Sequence, residues 1–394
     1  MRRGTAARAA AGGVGLGLSA GWNLANVGAI ADETAGDYHV SLTIVGLFTT
    51  ALFVMHAGMQ IPGGRLADRF GSRRVGLAAL GIVVVCSLGA LATPSPALAI
   101  AMRTLTGIGT AICFVAGSDY VRAASGSPFA PGVFGAAGVG SGGLALAIVP
   151  QVEPLIAWRA AYVTAAVVAA LGVLVLLAGP PDPPRVRHEA HVDAGRLLTD
   201  GVLVRFGLVH AASFGLSVLL GNWVVTLLER AGGLSSGVAG GVGSLTLLLG
   251  IVARPLAGLY MRRHPERMRR AVAWSFVAGA AGTAVLVAAE PLPLALAASA
   301  VVGLAAGVPF AYVFTGASAA RPDAPAAAVG FVNMIPALTI LVGNPLLGLG
   351  FSAPGDGRIG FAVVAALWLA SLSALPARSA RTALRPAADA AGRR

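Results

Sequence analysis

The chain has 394 residues, of which 56% are hydrophobic and only 11% charged, with 54 glycines, and its mean hydropathy is +0.80. That balance is that of a polytopic membrane protein and excludes an ordinary soluble domain. The formal charge of +12 is carried by arginine alone, because lysine is absent, and its gathering on one side of the apolar stretches speaks against a nucleic-acid footprint.

Crossing about 30 Å of hydrocarbon takes about 20 mostly apolar residues. Twelve stretches meet that need: 10–30, 41–59, 75–92, 97–117, 131–150 and 158–178, then 202–228, 238–259, 271–289, 292–315, 326–349 and 359–375. The proline-rich interval 180–200 reads as a connector. The expected architecture is therefore an all-α membrane protein of two six-helix bundles, 1–179 and 201–377, with a cytoplasmic connector and a tail at 378–394.

Placing both termini and the even-numbered returns on one face gathers 24 of the 28 arginines there, Arg254 among them. Only Arg159, Arg230 and Arg358 fall on or beside the opposite loops, and Arg103 lies within a stretch. The positive-inside rule then puts both termini in the cytoplasm, in an inner (plasma) membrane, where arginines also meet anionic lipid. Arg2 and Arg3 before an apolar run could instead mark a secretory signal. The run is of full spanning length, carries Asn23 and Asn26, and would leave eleven stretches if removed.

Within these elements the polar residues carry the chemistry. Between the second and third stretches lies Gly64-Arg65-Leu66-Ala67-Asp68-Arg69-Phe70-Gly71-Ser72-Arg73-Arg74, read as a tight charged turn. Gly64 and Gly71 permit close approach and unusual backbone angles, Arg73 and Arg74 anchor helix ends, and Asp68 pairs with an arginine or a helix N-terminus. A solvated loop that merely fixes orientation is the alternative. The outline recurs at 254–263, with Arg262 in the place of Asp68. Arg103 costs about 2.5–3.5 kcal/mol to insert, so it either faces a cavity or snorkels to the interface. Asn23, Asn26, His56, His210, Asn222, Trp223, Tyr312, Asn333 and Asn344 must face protein or water. No carboxylate lies at mid-span, which leaves Asp119, His56 and His210 as candidate proton carriers. Cys86 and Cys113 are isolated and build no metal centre.

Residues 64–74 resemble the signature between the second and third helices of the major facilitator superfamily. Arg103-Thr104-Leu105-Thr106-Gly107-Ile108-Gly109-Thr110-Ala111 is similar to its fourth-helix pattern, with Thr106 where a glutamine is usual. The glycines of 132–143 resemble the fifth-helix signature of its antiporter branches, although Ser141 rather than proline follows Gly140. The resemblance implies a bacterial transporter with its substrate site between the bundles near the midplane. It further implies a latch of Asp68, Arg69, Arg73 and Arg74 that holds the outward-open state, and Arg103 facing the cavity for proton coupling or anion binding. Asn23, Asn26, Trp223, Tyr312 and Asn333 fall on cavity-lining helices by the same resemblance.

The expected function is a proton-coupled secondary transporter of a small organic solute or drug-like compound, working by alternating access as a monomer without cofactor. A nitrate-, nitrite- or cyanate-like anion porter is the weaker subcase, since it would need further membrane arginines that the sequence reading does not find. A non-transporting sensor on the same fold is a further alternative. Six scattered histidines without paired carboxylates give no support to an enzyme.

Overall fold

The computed structural model describes residues 3–125, 130–182, 199–288, 291–321 and 325–376. Most of the expected connector, 183–198, and the tail from 377 onward lie outside them. The described chain is helical, as hydrocarbon requires of a backbone that must satisfy its own N–H and C=O groups.

The first bundle comprises α1 (Arg3–Ala25), α2 (Ala31–Tyr38), α3 (Leu42–Gly58), α4 (Gln60–Phe70), α5 (Ser72–Gly89), α6 (Pro96–Ser125), α7 (Ala130–Ile156) and α8 (Arg159–Leu177). The second comprises α9 (Gly201–His210), α10 (Leu216–Arg230), α11 (Ser236–Leu248), α12 (Gly250–Arg263), α13 (Met268–Ala288), α14 (Leu292–Gly307), α15 (Pro309–Ala320), α16 (Pro325–Gly350) and α17 (Arg358–Ala370). Among the described residues, nine helices are long and apolar enough to cross a membrane, with shorter apolar helices at Leu42–Gly58 and Arg358–Ala374. Several of the apolar stretches are jointed. A π-helical turn, Ala211–Gly215, joins α9 to α10, and Pro309, which has no N–H to donate, opens α15 directly after α14.

The turn expected at 64–74 is corrected. Its residues Arg65 to Phe70 continue α4, and the whole link to α5 is Gly71, at φ +93°. Leucine, alanine and arginine favour helix, so the chain stays coiled until a glycine can take a backbone angle open to few other residues. The sequence reading also left 31–38 unassigned, where α2 forms between α1 and α3.

In the first bundle α1 packs on α6, α7 and α8, and α5 on α6 and α8. In the second, α13 packs on α14 and α17, and α16 on α9 and α15. The bundles meet where α3 lies along α16 and where α7 lies along α11 and α12. Val85, Leu171, Leu174, Trp274 and Leu346 are exposed on the outside, an apolar surface for lipid to cover.

Candidate transport pathway and its gates

In the first bundle Arg103, on α6, is 2% exposed. Its Nε donates to the Phe48 carbonyl at 3.3 Å, its Nη1 to Oδ1 of Asn23 and of Asn26, both at 3.3 Å, and its Nη2 to the Asn23 carbonyl at 2.8 Å. These acceptors are available because α1 ends at Ala25 and the chain turns there. Asn26 in turn donates to the Ala161 carbonyl at 2.8 Å, and Asn23 to that of Ser19 at 3.0 Å. Arg103 thus ties α6 to α1 and α3 through neutral acceptors, and it is buried rather than snorkelled.

The other expected site residues form separate contacts. His56 shares a 3.0 Å hydrogen bond with the Thr110 hydroxyl, linking α3 to α6. His210 Nε2 lies 3.3 Å from Asn333 Oδ1, linking α9 to α16. Trp223 stacks on Phe351 with centroids 5.3 Å apart, and Tyr312 meets Phe206 edge to face at 5.5 Å. Asp119 accepts a hydrogen bond from the Ser72 hydroxyl, so it ties the start of α5 to the C-terminal part of α6. Asn222 and Asn344 donate to carbonyls of their own helices at 3.0 and 3.2 Å.

Around the α4–α5 link, Asp68 lies on α4 with its side chain outside the described residues. Arg65 and Arg74 are exposed, and the Arg69 guanidinium lies 5.0 Å from the Phe70 ring centroid. Gly64 packs toward Val115. The cap comes from a residue that sequence reasoning left in the connector. Asp182 accepts the Arg73 backbone N–H on both oxygens, at 3.0 and 3.1 Å, at the positive end of α5. The Arg73 side chain donates to the Leu176 and Leu177 carbonyls, at 3.1 and 2.7 Å, and so caps the end of α8. A Cβ on Gly71 would fall 2.4 Å from Asp182 Oδ2. Gly71→Ala is accordingly expected to destabilise the protein by about 1–3 kcal/mol, read as a lower melting temperature in detergent. An unchanged melting temperature would mean that the junction carries no strain.

At the opposite ends of the helices, Asp32 on α2 and Arg230 at the end of α10 pair across the bundles. Arg230 Nε donates to both Asp32 oxygens, at 3.0 and 2.9 Å, and its Nη2 donates to Oδ1. Further bridges run from Thr50 to the Leu341 carbonyl and from Gln151 to the Gly237 carbonyl, both at 3.0 Å. Glu33 Oε2 and Glu229 Oε1 are buried there without hydrogen-bond partners. Burial raises the Glu33 carboxyl above its ordinary range, opposed by its backbone N–H and by Ser236 and helped by the nearby charges of Glu153 and Asp32.

Arg254 corrects the sequence reading, which counted it among the cytoplasmic arginines and found no further arginine in the membrane. It lies on α12, 8% exposed, eight residues before Arg262 and so about 12 Å inside the arginine-marked end. Its Nη1 donates to the Gly135 carbonyl of α7 at 3.1 Å, and its guanidinium lies 4.2 Å from the Phe310 ring centroid and 5.9 Å from that of Phe214. The signal was present in the apolar neighbours on either side, Ile251-Val252-Ala253 and Leu256-Ala257.

Residues 13–344 match the family model described as Major Facilitator Superfamily. Among solved structures, a point mutant of the nucleoside transporter NupG is similar at a TM-score of 0.74 and 14% identity, over 96% of this chain and 100% of that one. A second NupG structure gives 0.70 and 14%, over 94% and 99%. The human organic anion transporter MFSD10 (TETRAN) gives 0.69 and 19%, over 95% and 100%. At these identities the likeness is one of fold. No curated protein matches the sequence.

Proposed function

Because the chain belongs to the Major Facilitator Superfamily, we propose that it is a secondary transporter that moves a small organic solute or drug-like compound by alternating access, coupled to protons. The observation that carries this reading is the asymmetry of its closure. The outer ends of the bundles are joined by Asp32–Arg230, while deeper in the protein Arg254 reaches the first bundle at the Gly135 carbonyl, beside the His210–Asn333 pair buried in the second. Such contacts can be exchanged for others on the opposite face without disturbing either bundle.

A multi-pass protein of this superfamily works on a small molecule from within the membrane. The arginine distribution supports an inner-membrane location with both termini cytoplasmic, and the chain is taken to act as a monomer. Proton coupling is supported by the half-buried carboxyls Glu33 and Glu229 at the outer closure and by His210 beneath it; Asp119 and His56 are already engaged with Ser72 and Thr110. Arg254 revives the small-anion reading, because it supplies the second membrane arginine that the sequence reading lacked. For a monovalent anion the membrane potential favours export by about 2.3 kcal/mol per 100 mV.

The test is flux in liposomes. The purified protein is expected to accumulate or expel a labelled solute from a nucleoside and organic-anion panel in proportion to an imposed pH gradient. Flux that ignores the gradient would remove proton coupling, and no flux across the panel would favour the sensor alternative.

A further inference from the structure

Among the described residues two arginines, Arg103 and Arg254, are buried, and they are provided for very differently. Arg103 has four hydrogen bonds to fixed acceptors. Arg254 has one, from Nη1 to Gly135, while its Nε is buried with no acceptor at all. Among the described residues no carboxylate pairs with it. A guanidinium offers five N–H donors in a fixed planar fork, and a buried cation without a counter-charge is costly. The faces of Phe310 and Phe214 offset part of that cost but leave the in-plane donors unused.

The surroundings are equally specific. Phe310 and Phe314 lie with centroids 4.4 Å apart, His210 meets Phe314 edge to face at 5.1 Å, and Phe214 stacks on His210 at 5.6 Å. The π-helical turn that carries Phe214 directly after His210 brings both rings to this place. On the far side Asn333 and Ser213 hold the imidazole, at 3.3 and 3.5 Å. The walls come from α9, α12, α15 and α16 of the second bundle, and the Gly135 carbonyl comes from α7 of the first, so the cluster sits on the surface where the bundles part.

The geometry points to a subsite in which Arg254 receives the carboxylate of a small organic acid while Phe214, Phe310, Phe314 and His210 enclose its flat apolar body. The inference rests on the transporter reading and narrows it to planar monocarboxylates. The carboxylate would take the two in-plane donors that now lack partners, a bidentate match that a lysine could not make.

The test compares benzoate, benzyl alcohol and acetate by calorimetry on the purified full-length protein in detergent. Wild type is expected to bind benzoate about tenfold more tightly than benzyl alcohol, and acetate more weakly than benzoate for want of a ring. Arg254→Gln should reduce the benzoate preference to near parity while keeping benzyl alcohol binding, and Phe310→Leu should weaken both ring-bearing ligands. Equal binding of benzoate and benzyl alcohol by wild type overturns the proposal, and that comparison needs no variant to fold. A preference that survives Arg254→Gln overturns it as well, and leaves Arg254 as a strut between the bundles. Liposome flux separates the two readings. Movement of neutral solutes without carboxylate preference ends this inference alone, whereas Arg254-dependent benzoate binding without any flux ends the transporter reading and keeps the site.

Discussion

Arg103→Ala is expected to abolish transport and also to lower the stability of the first bundle. The substitution removes a side chain that is 2% exposed and leaves the Asn23 carbonyl, in the last turn of α1, and the amide oxygens of Asn23 and Asn26 without the Arg103 donor. Each buried acceptor left unsatisfied costs about 1–3 kcal/mol, so two or more give a loss of about 2–6 kcal/mol, read as a fall in melting temperature. Arg103→Lys sharpens the test. A lysine restores the charge but cannot reach α1 and α3 with one planar fork, and it is expected to remain well below wild type in stability. If Arg103→Ala melted like wild type yet lost transport, the hydrogen bonds would be incidental and Arg103 would act on the substrate or the proton directly.

The contrast between the two buried arginines also shows what could be read beforehand. Helices, lipid-facing surfaces and the two-bundle plan follow from apolar length and from where arginine clusters, because those depend on single residues meeting lipid or water. Arg103 could be picked out because the apolar run Ala97-Leu98-Ala99-Ile100-Ala101-Met102 leads straight into it on one helix. Arg254 has an apolar setting as well, but its kinship with the 64–74 outline and with the nearby Arg262 and Arg263 drew it toward the cytoplasmic count. Partners distant in sequence were less legible. Asp182 caps α5 from the far end of α8, and Asp32 meets Arg230 across 198 positions. Such pairs depend on tertiary approach, which no local pattern encodes. The α4–α5 link was misread for the opposite reason. Its charges suggested a loop, whereas local helix propensity ran on to Gly71.

Gly28→Leu is expected to keep the outer face from closing. Gly28 lies just past the end of α1, in a short 3-10 turn, and packs against α10 of the other bundle. A Cβ there would fall 2.4 Å from the Asn222 carbonyl oxygen and 2.5 Å from its Cα, and neither atom can move unless α10 does. Overpacking of this kind costs about 1–3 kcal/mol, borne by any state in which Gly28 packs on α10. The outward-open population should therefore rise about 5–150-fold, and transport should stall for want of the inward half of the cycle. The reporter is Thr226→Cys, at a position on α10 with no exposure in the closed state. The native Cys86 and Cys113 are both buried, so a membrane-impermeant maleimide added from outside reads the new thiol over a low background. Gly81→Leu serves as the control, since a Cβ there meets nothing within 4 Å. Faster labelling with Gly28→Leu and not with Gly81→Leu would tie outer closure to the α1–α10 contact. Equal labelling in the two would mean that the bundles part elsewhere, and the gate formed by Asp32 and Arg230 would lose its place in the cycle.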